Sequence, residues 1–160
     1  MKKVKNSLKF ISATVLATAL SCGAFGIAGC ASTQKVVGEV SYTEWGTNYG
    51  IKVQVEVKSS SKGDRIKEVT VLDSDYVSAT EWEGRESWDN NLQNLLNAYR
   101  GEYVKDILAK EVATNEIGAP IASDEEGFKN YGEEFIITGA TLGSGRLMLA
   151  VQNALKQINA

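Results

Sequence analysis

Residues 138–145 of the chain read TGATLGSG, with three glycines, two threonines and a serine in eight positions. Just ahead of them Phe135, Ile136 and Ile137 form a short apolar run, which predicts a buried strand. Just behind them Leu147, Ala150, Val151, Ala154, Leu155 and Ile158 recur at helical spacing, which predicts a last helix over about 144–158. Residues 138–143 are therefore expected to be the loop of a strand–loop–helix junction. The start of a helix presents unpaired N–H groups and partial positive charge, and glycine lets backbone approach a ligand closely, so the natural guest is a phosphate. The same residues also read as a plain turn closed by Ser144 as helix N-cap. The helix dipole contributes only about 0.3–1 kcal/mol, whereas a micromolar ligand needs about 8 kcal/mol. A helix end alone cannot hold a nucleotide; a pocket or a covalent bond has to supply the rest.

Other chemistries are narrowed by what the chain lacks. It has 160 residues, no histidine and two cysteines, Cys22 and Cys30. Without histidine there is no His-based triad or His general base, and no Cys/His structural zinc site. Lys2, Lys3, Lys5 and Lys9 precede an uncharged stretch, residues 10–29, as in an export signal. That stretch ends in Ile27-Ala28-Gly29-Cys30, followed by Ala31 and Ser32. A branched apolar residue, two small residues and a cysteine resemble the lipobox of bacterial lipoproteins. The resemblance implies a signal peptide over 1–29 and Cys30 as the lipidated first residue of the mature protein. An ordinary cleaved signal or a retained anchor would share the basic and apolar parts. Residues 31–35 are then a tether, at most about 17 Å long, and 36–160 the folded domain. Beyond Cys30 the chain carries 13 basic against 20 acidic residues, a balance of −7. An acidic domain is a poor partner for nucleic acid, and one of this length holds a single modest core.

The elements that must position the junction follow from patterning. Residues 36–45 predict a first strand, and Gly46, Thr47, Asn48, Tyr49 and Gly50 a turn. IKVQVEVK over residues 51–58 alternates without fault, with Ile51, Val53, Val55 and Val57 on one face, as in a half-buried antiparallel strand. SSSKGD over 59–64 is a hairpin loop, and 65–73 a third strand whose slipped alternation predicts a bulge or two covered faces. Ser87 is the expected N-cap of a helix whose buried face is Leu92, Leu95, Leu96 and Tyr99, stopped by Gly101. A short helix over 102–109 and an irregular connection over 115–132 follow. Strands first and helices after predict an α+β fold, an antiparallel sheet with helices packed on it and a C-terminal helix after a glycine-rich loop.

Thr138-Gly139-Ala140-Thr141, followed by Leu142 and Ser144, resembles the (Ser/Thr)-Gly-Ala-Thr motif of the FMN-binding domain family. Such domains occur in the C and G subunits of sodium-pumping and ferredoxin-linked oxidoreductases and in lipoproteins of extracytoplasmic electron transfer. LAVQNALKQI in the last helix is similar to that family's Ala-Val-x-x-Ala-Leu pattern. The hairpin from Tyr49-Gly50 through Lys62-Gly63-Asp64-Arg65-Ile66 is more generically similar. The likeness spans most of residues 49–158.

The resemblance implies that Thr141 carries FMN through a phosphoester made from FAD by a flavin transferase, usually outside the cytoplasm. Thr138, Gly139, Ala140, Leu142 and Ser144 are then the cofactor-binding surroundings, with Arg146 nearby, and the protein is a membrane-tethered extracytoplasmic electron carrier. Its partners would be redox proteins or a quinone-linked membrane complex. Two positions depart from the family pattern: Phe135 stands where an aspartate is common, with Glu134 beside it, and Gly143 where a hydroxyl residue is frequent. Residues 80–84 (TEWEG) are a distant echo of a Glu-Thr-Pro-Gly-like segment. These departures support two alternatives, a flavin held without a covalent bond, or a lipoprotein binding module of the same fold that has lost it. Trp45, Trp82 and Trp88 are expected to be structural rather than flavin contacts. Glu81, Glu83, Glu133 and Glu134 lack the spacing of a calcium loop and read as a solvated face.

Overall fold

The computed structural model describes residues 32–44, 46–74, 85–121, 132–138 and 140–158. The readings at residues 1–31, Trp45, Glu81, Trp82, Glu83, Gly139 and most of the 115–132 connection lie outside that set. The fold is α+β. Strands β1 (Thr33–Glu44), β2 (Thr47–Lys58) and β3 (Arg65–Ser74) form an antiparallel sheet in sequence order. Helices α1 (Arg85–Ala98), α2 (Val104–Leu108) and α3 (Thr141–Leu155) follow, with α3 lying on β1 and β2.

The perfect alternation of β2 does what its period requires. Ile51, Val53, Val55 and Val57 are all buried beneath the helices. Its opposite face is polar, and there Glu56 is flanked by Lys67 (2.6 Å) on β3 and Lys35 (3.8 Å) on β1. The slipped pattern of the third strand is a pair of register shifts between β2 and β3, at Lys52/Val53 and Glu56/Val57. The second shift lets Ile66 and Val69 both reach the core.

Several boundaries differ from the sequence reading. β1 begins at Thr33, paired with Lys58, so residues 33–35 belong to the sheet rather than to a tether. Thr47, Asn48 and Tyr49 are strand, paired with Glu44, Thr43 and Tyr42. Only Trp45 and Gly46 separate β1 from β2, with Gly46 at φ 78° where such a tight hairpin needs a left-handed residue. Stacking of Tyr42 on Tyr49 at 5.5 Å carries the ladder into the expected turn. Ser87 is not a cap, because α1 is already helical at Arg85.

One close approach sets the seat of α3. A Cβ on Gly38 of β1 would run into the backbone of α3, at the Ala150 carbonyl and the Ala154 amide. Asn153 and Gln157 donate side-chain amide N–H groups to the Glu39 (3.1 Å) and Val37 (2.7 Å) carbonyls of that edge strand. Helix α3 therefore runs antiparallel to β1. Its C-terminal end sits at the start of β1 and its N-terminal end beside Tyr42 and Tyr49.

Candidate functional site

The junction before α3 is tighter than its sequence implies. Residues 135–137 form no strand. Glu133–Phe135 is a single 3₁₀ turn. The Ile136 N–H goes to the Glu133 carbonyl (3.1 Å) and that of Ile137 to the Ser144 hydroxyl (2.9 Å), so neither joins a ladder. An apolar run of three residues does not by itself distinguish a strand from buried coil.

Helix α3 opens at Thr141, three residues before the expected start, with Ala140 as its N-cap and no side-chain cap bond. Gly143 and Gly145 disfavour helix, which is why the sequence places the start later. Both are nevertheless helical and buried in the first turns. Ser144 is not the N-cap. Its N–H makes a helical bond of the first turn, to the Ala140 carbonyl (3.1 Å). Its hydroxyl accepts from the Ile137 N–H (2.9 Å) and donates to Ala140 O (3.2 Å), pinning the loop to the helix.

The candidate cofactor residues thus fall into two groups. Thr138 is exposed, Thr141 half-buried and Leu142 39 % exposed, so three side chains of the motif face outward at the helix start. Ala140 and Ser144 are buried. Thr141 is the first residue of α3, so its hydroxyl stands at the electropositive end of a 15-residue helix.

Arg146 lies one turn beyond Leu142 and is only 4 % exposed. Its guanidinium stands over the rings of Tyr49 (4.9 Å) and Tyr42 (5.3 Å), a buried cation on stacked aromatics at the same end of the sheet. Such a contact contributes about 2 kcal/mol when desolvated. Sequence reasoning placed Arg146 near the loop but missed its two tyrosines. Their type and register, opposite each other across the first hairpin, was the available signal.

Phe135, the residue in the usual place of an aspartate, is 1 % exposed and meets Tyr99 edge-on at 4.9 Å, with the Lys110 ammonium 4.5 Å from its ring centre. It is part of the core. Glu133 and Glu134 are exposed, and no cluster of metal-ligating side chains occurs among the described residues. Trp88 is 3 % exposed and packs in the core, as a structural tryptophan should. No helix of the described residues is long and apolar enough to cross a membrane. No protein-family model, curated protein or solved structure matches the chain.

Proposed function

We propose that the protein is a membrane-tethered extracytoplasmic flavoprotein that carries electrons through FMN attached to Thr141, with Cys30 as its lipid anchor. The observation that carries this reading is the place of Thr141. It is the first residue of α3, half-buried, in a Thr-Gly-Ala-Thr sequence.

The residues present fit a phosphodiester there. The Thr141 hydroxyl would be the attachment point, and the start of α3 would hold the negative charge. Attachment joins the threonine oxygen to the phosphorus of the FMN half of FAD. The pyrophosphate bond breaks, AMP leaves, and the hydroxyl proton is lost to solvent. A covalent bond also removes the affinity deficit of a lone helix end. When bound, the flavin supplies the redox chemistry, and the chain supplies position and field. Arg146, held over Tyr42 and Tyr49 beside this helix end, would favour a negatively charged group there.

A second reading, a lipoprotein binding module without flavin, is favoured by Phe135. An aromatic ring locked against Tyr99 cannot take over the role of a carboxylate.

The deciding experiment is in-gel flavin fluorescence of the full chain exported by a host with a flavin transferase, beside Thr141→Ala and Thr141→Ser. A fluorescent wild-type band that is lost in Thr141→Ala and partly kept in Thr141→Ser is expected. A dark band from folded wild-type protein sinks the covalent reading. If the native sample is also colourless, the binding module takes its place.

A further inference from the structure

We infer that the domain stands on an anionic lipid surface by the end that holds the start of β1, with the α3 N-terminus pointing away from the membrane. This rests on the proposed lipid anchor at Cys30.

The first observation is where the fold begins. Only Ala31 and Ser32 separate Cys30 from β1, a reach of at most about 7 Å. The Ser32 carbonyl accepts the Ser59 N–H (2.9 Å), which ties the entry point to the β2–β3 loop. An anchored domain therefore has no free tether, and its β2–β3 loop lies at the headgroups.

The second observation is charge. The segments gathered at this end are 33–35, 56–68, 100–106 and 156–158. Arg65 and Val104 fix the third segment to the second: Arg65 Nη1 donates to the Gly101 carbonyl, and the Val104 N–H to Asp64 O (3.0 Å). The Gln157 side chain holds the fourth segment to β1. These segments hold eight of the 13 basic residues that follow Cys30, all eight exposed, against five of the 20 acidic ones. The other described residues hold four basic and nine acidic residues. Among the described residues this end is thus net basic, in a chain acidic overall, and it is where the lipid would be.

The third observation is Tyr103, half-buried at the same end with the Arg65 guanidinium 3.6 Å and the Lys105 ammonium 5.4 Å from its ring centre. A tyrosine between basic side chains suits the membrane–water boundary. An anionic leaflet attracts this end, and the attraction fades within a Debye length of about 8 Å.

The consequence concerns the redox partner. Tyr42 lies nine residues along β1 from Thr33, about 30 Å at strand rise. Thr141 is at that far end, so a partner reaches it from the aqueous side, and a quinone dissolved in the bilayer does not.

The test uses the full, processed lipoprotein in vesicles of phosphatidylcholine with phosphatidylglycerol. Once Cys30 is acylated an introduced cysteine is the only thiol. Ser61→Cys in the β2–β3 loop and Thr47→Cys at the opposite hairpin, both exposed sites, are labelled with one fluorophore. A headgroup-borne quencher is expected to quench the Ser61→Cys label about threefold more than the Thr47→Cys label. Reversing Lys58, Lys62 and Lys105 to Glu should shrink the difference. Equal quenching in protein that partitions into detergent overturns the orientation while leaving the anchor intact. Protein that partitions into water, as a Cys30→Ser control would, overturns the anchor and the orientation with it.

Discussion

At the scale of single residues, Tyr99 is the side chain whose chemistry is most altered by the fold. It is fully buried, its hydroxyl faces the Met148 sulfur at 3.7 Å, and burial pushes its ionisation well above the ordinary tyrosine value of 10.0. Below pH 10 the phenol is neutral in both folded and unfolded chains and its titration contributes nothing. Above pH 10 the unfolded chain ionises it and the folded chain does not, so stability falls as pH rises. Tyr99→Phe should change stability by no more than about 1 kcal/mol at pH 7. At pH 11 it should exceed wild type by about 1.4 kcal/mol relative to that baseline. Urea unfolding of both proteins at the two pH values checks this, because the other tyrosines are shared. The same scale shows how much of the candidate site was legible. Thr141 was singled out from residue identity and an expected loop position, and the structure makes it the first residue of α3. The role of Ser144 was misassigned, because a serine before an apolar stripe reads as a cap whether its hydroxyl turns forward to the helix or, as here, back to Ile137. Phe135 was visible as a departure, but its partner Tyr99 lies 36 residues away and left no local trace.

At the scale of elements, Gly38 decides how closely α3 can lie on the sheet. Nothing in the strand pattern of residues 33–44 marks it, since a glycine within a strand equally well signals a bulge or a weak edge. Its function depends on Ala150 and Ala154, more than a hundred residues later, which give α3 a small-residue stripe where the strand has no side chain. Gly38→Ala drives a methyl group into helix backbone rather than into a side chain that can swing aside. Overpacking of this kind costs about 3 kcal/mol or more, the upper part of the range for core insertions. The expected result is a fall in Tm of about 10 °C or more, read by thermal denaturation in far-UV circular dichroism. A drop of only a few degrees would mean that α3 can lift from β1 cheaply. The hydrogen bonds from Asn153 and Gln157 to the edge carbonyls argue against that, and they also blunt β1 as a template for a further strand.

At the scale of the whole molecule, the α+β layering was readable because strand and helix periods occupy separate halves of the chain. The joining of those halves was not readable, since it depends on contacts across the fold. Val53 and Ile66 from the sheet, Trp88 and Leu95 from α1, Ile107 from α2 and Leu147 and Leu155 from α3 belong to one continuous cluster of buried side chains. Buried Gln152 reinforces the link by donating to the Ile107 (2.9 Å) and Lys110 (2.7 Å) carbonyls, which close the end of α2. No described element has a core of its own. A helical half without the sheet would expose Trp88, Leu95 and Tyr99 together, and a sheet without α3 would expose the apolar face of β2. Either fragment would lose the hydrophobic burial that opposes chain entropy. The protein should therefore unfold in urea as one unit, with far-UV and near-UV circular dichroism giving coincident transitions. Separated transitions, with near-UV signal lost first, would show that α1 and α2 detach while the sheet and α3 persist, and would place the boundary of cooperativity at Gln152.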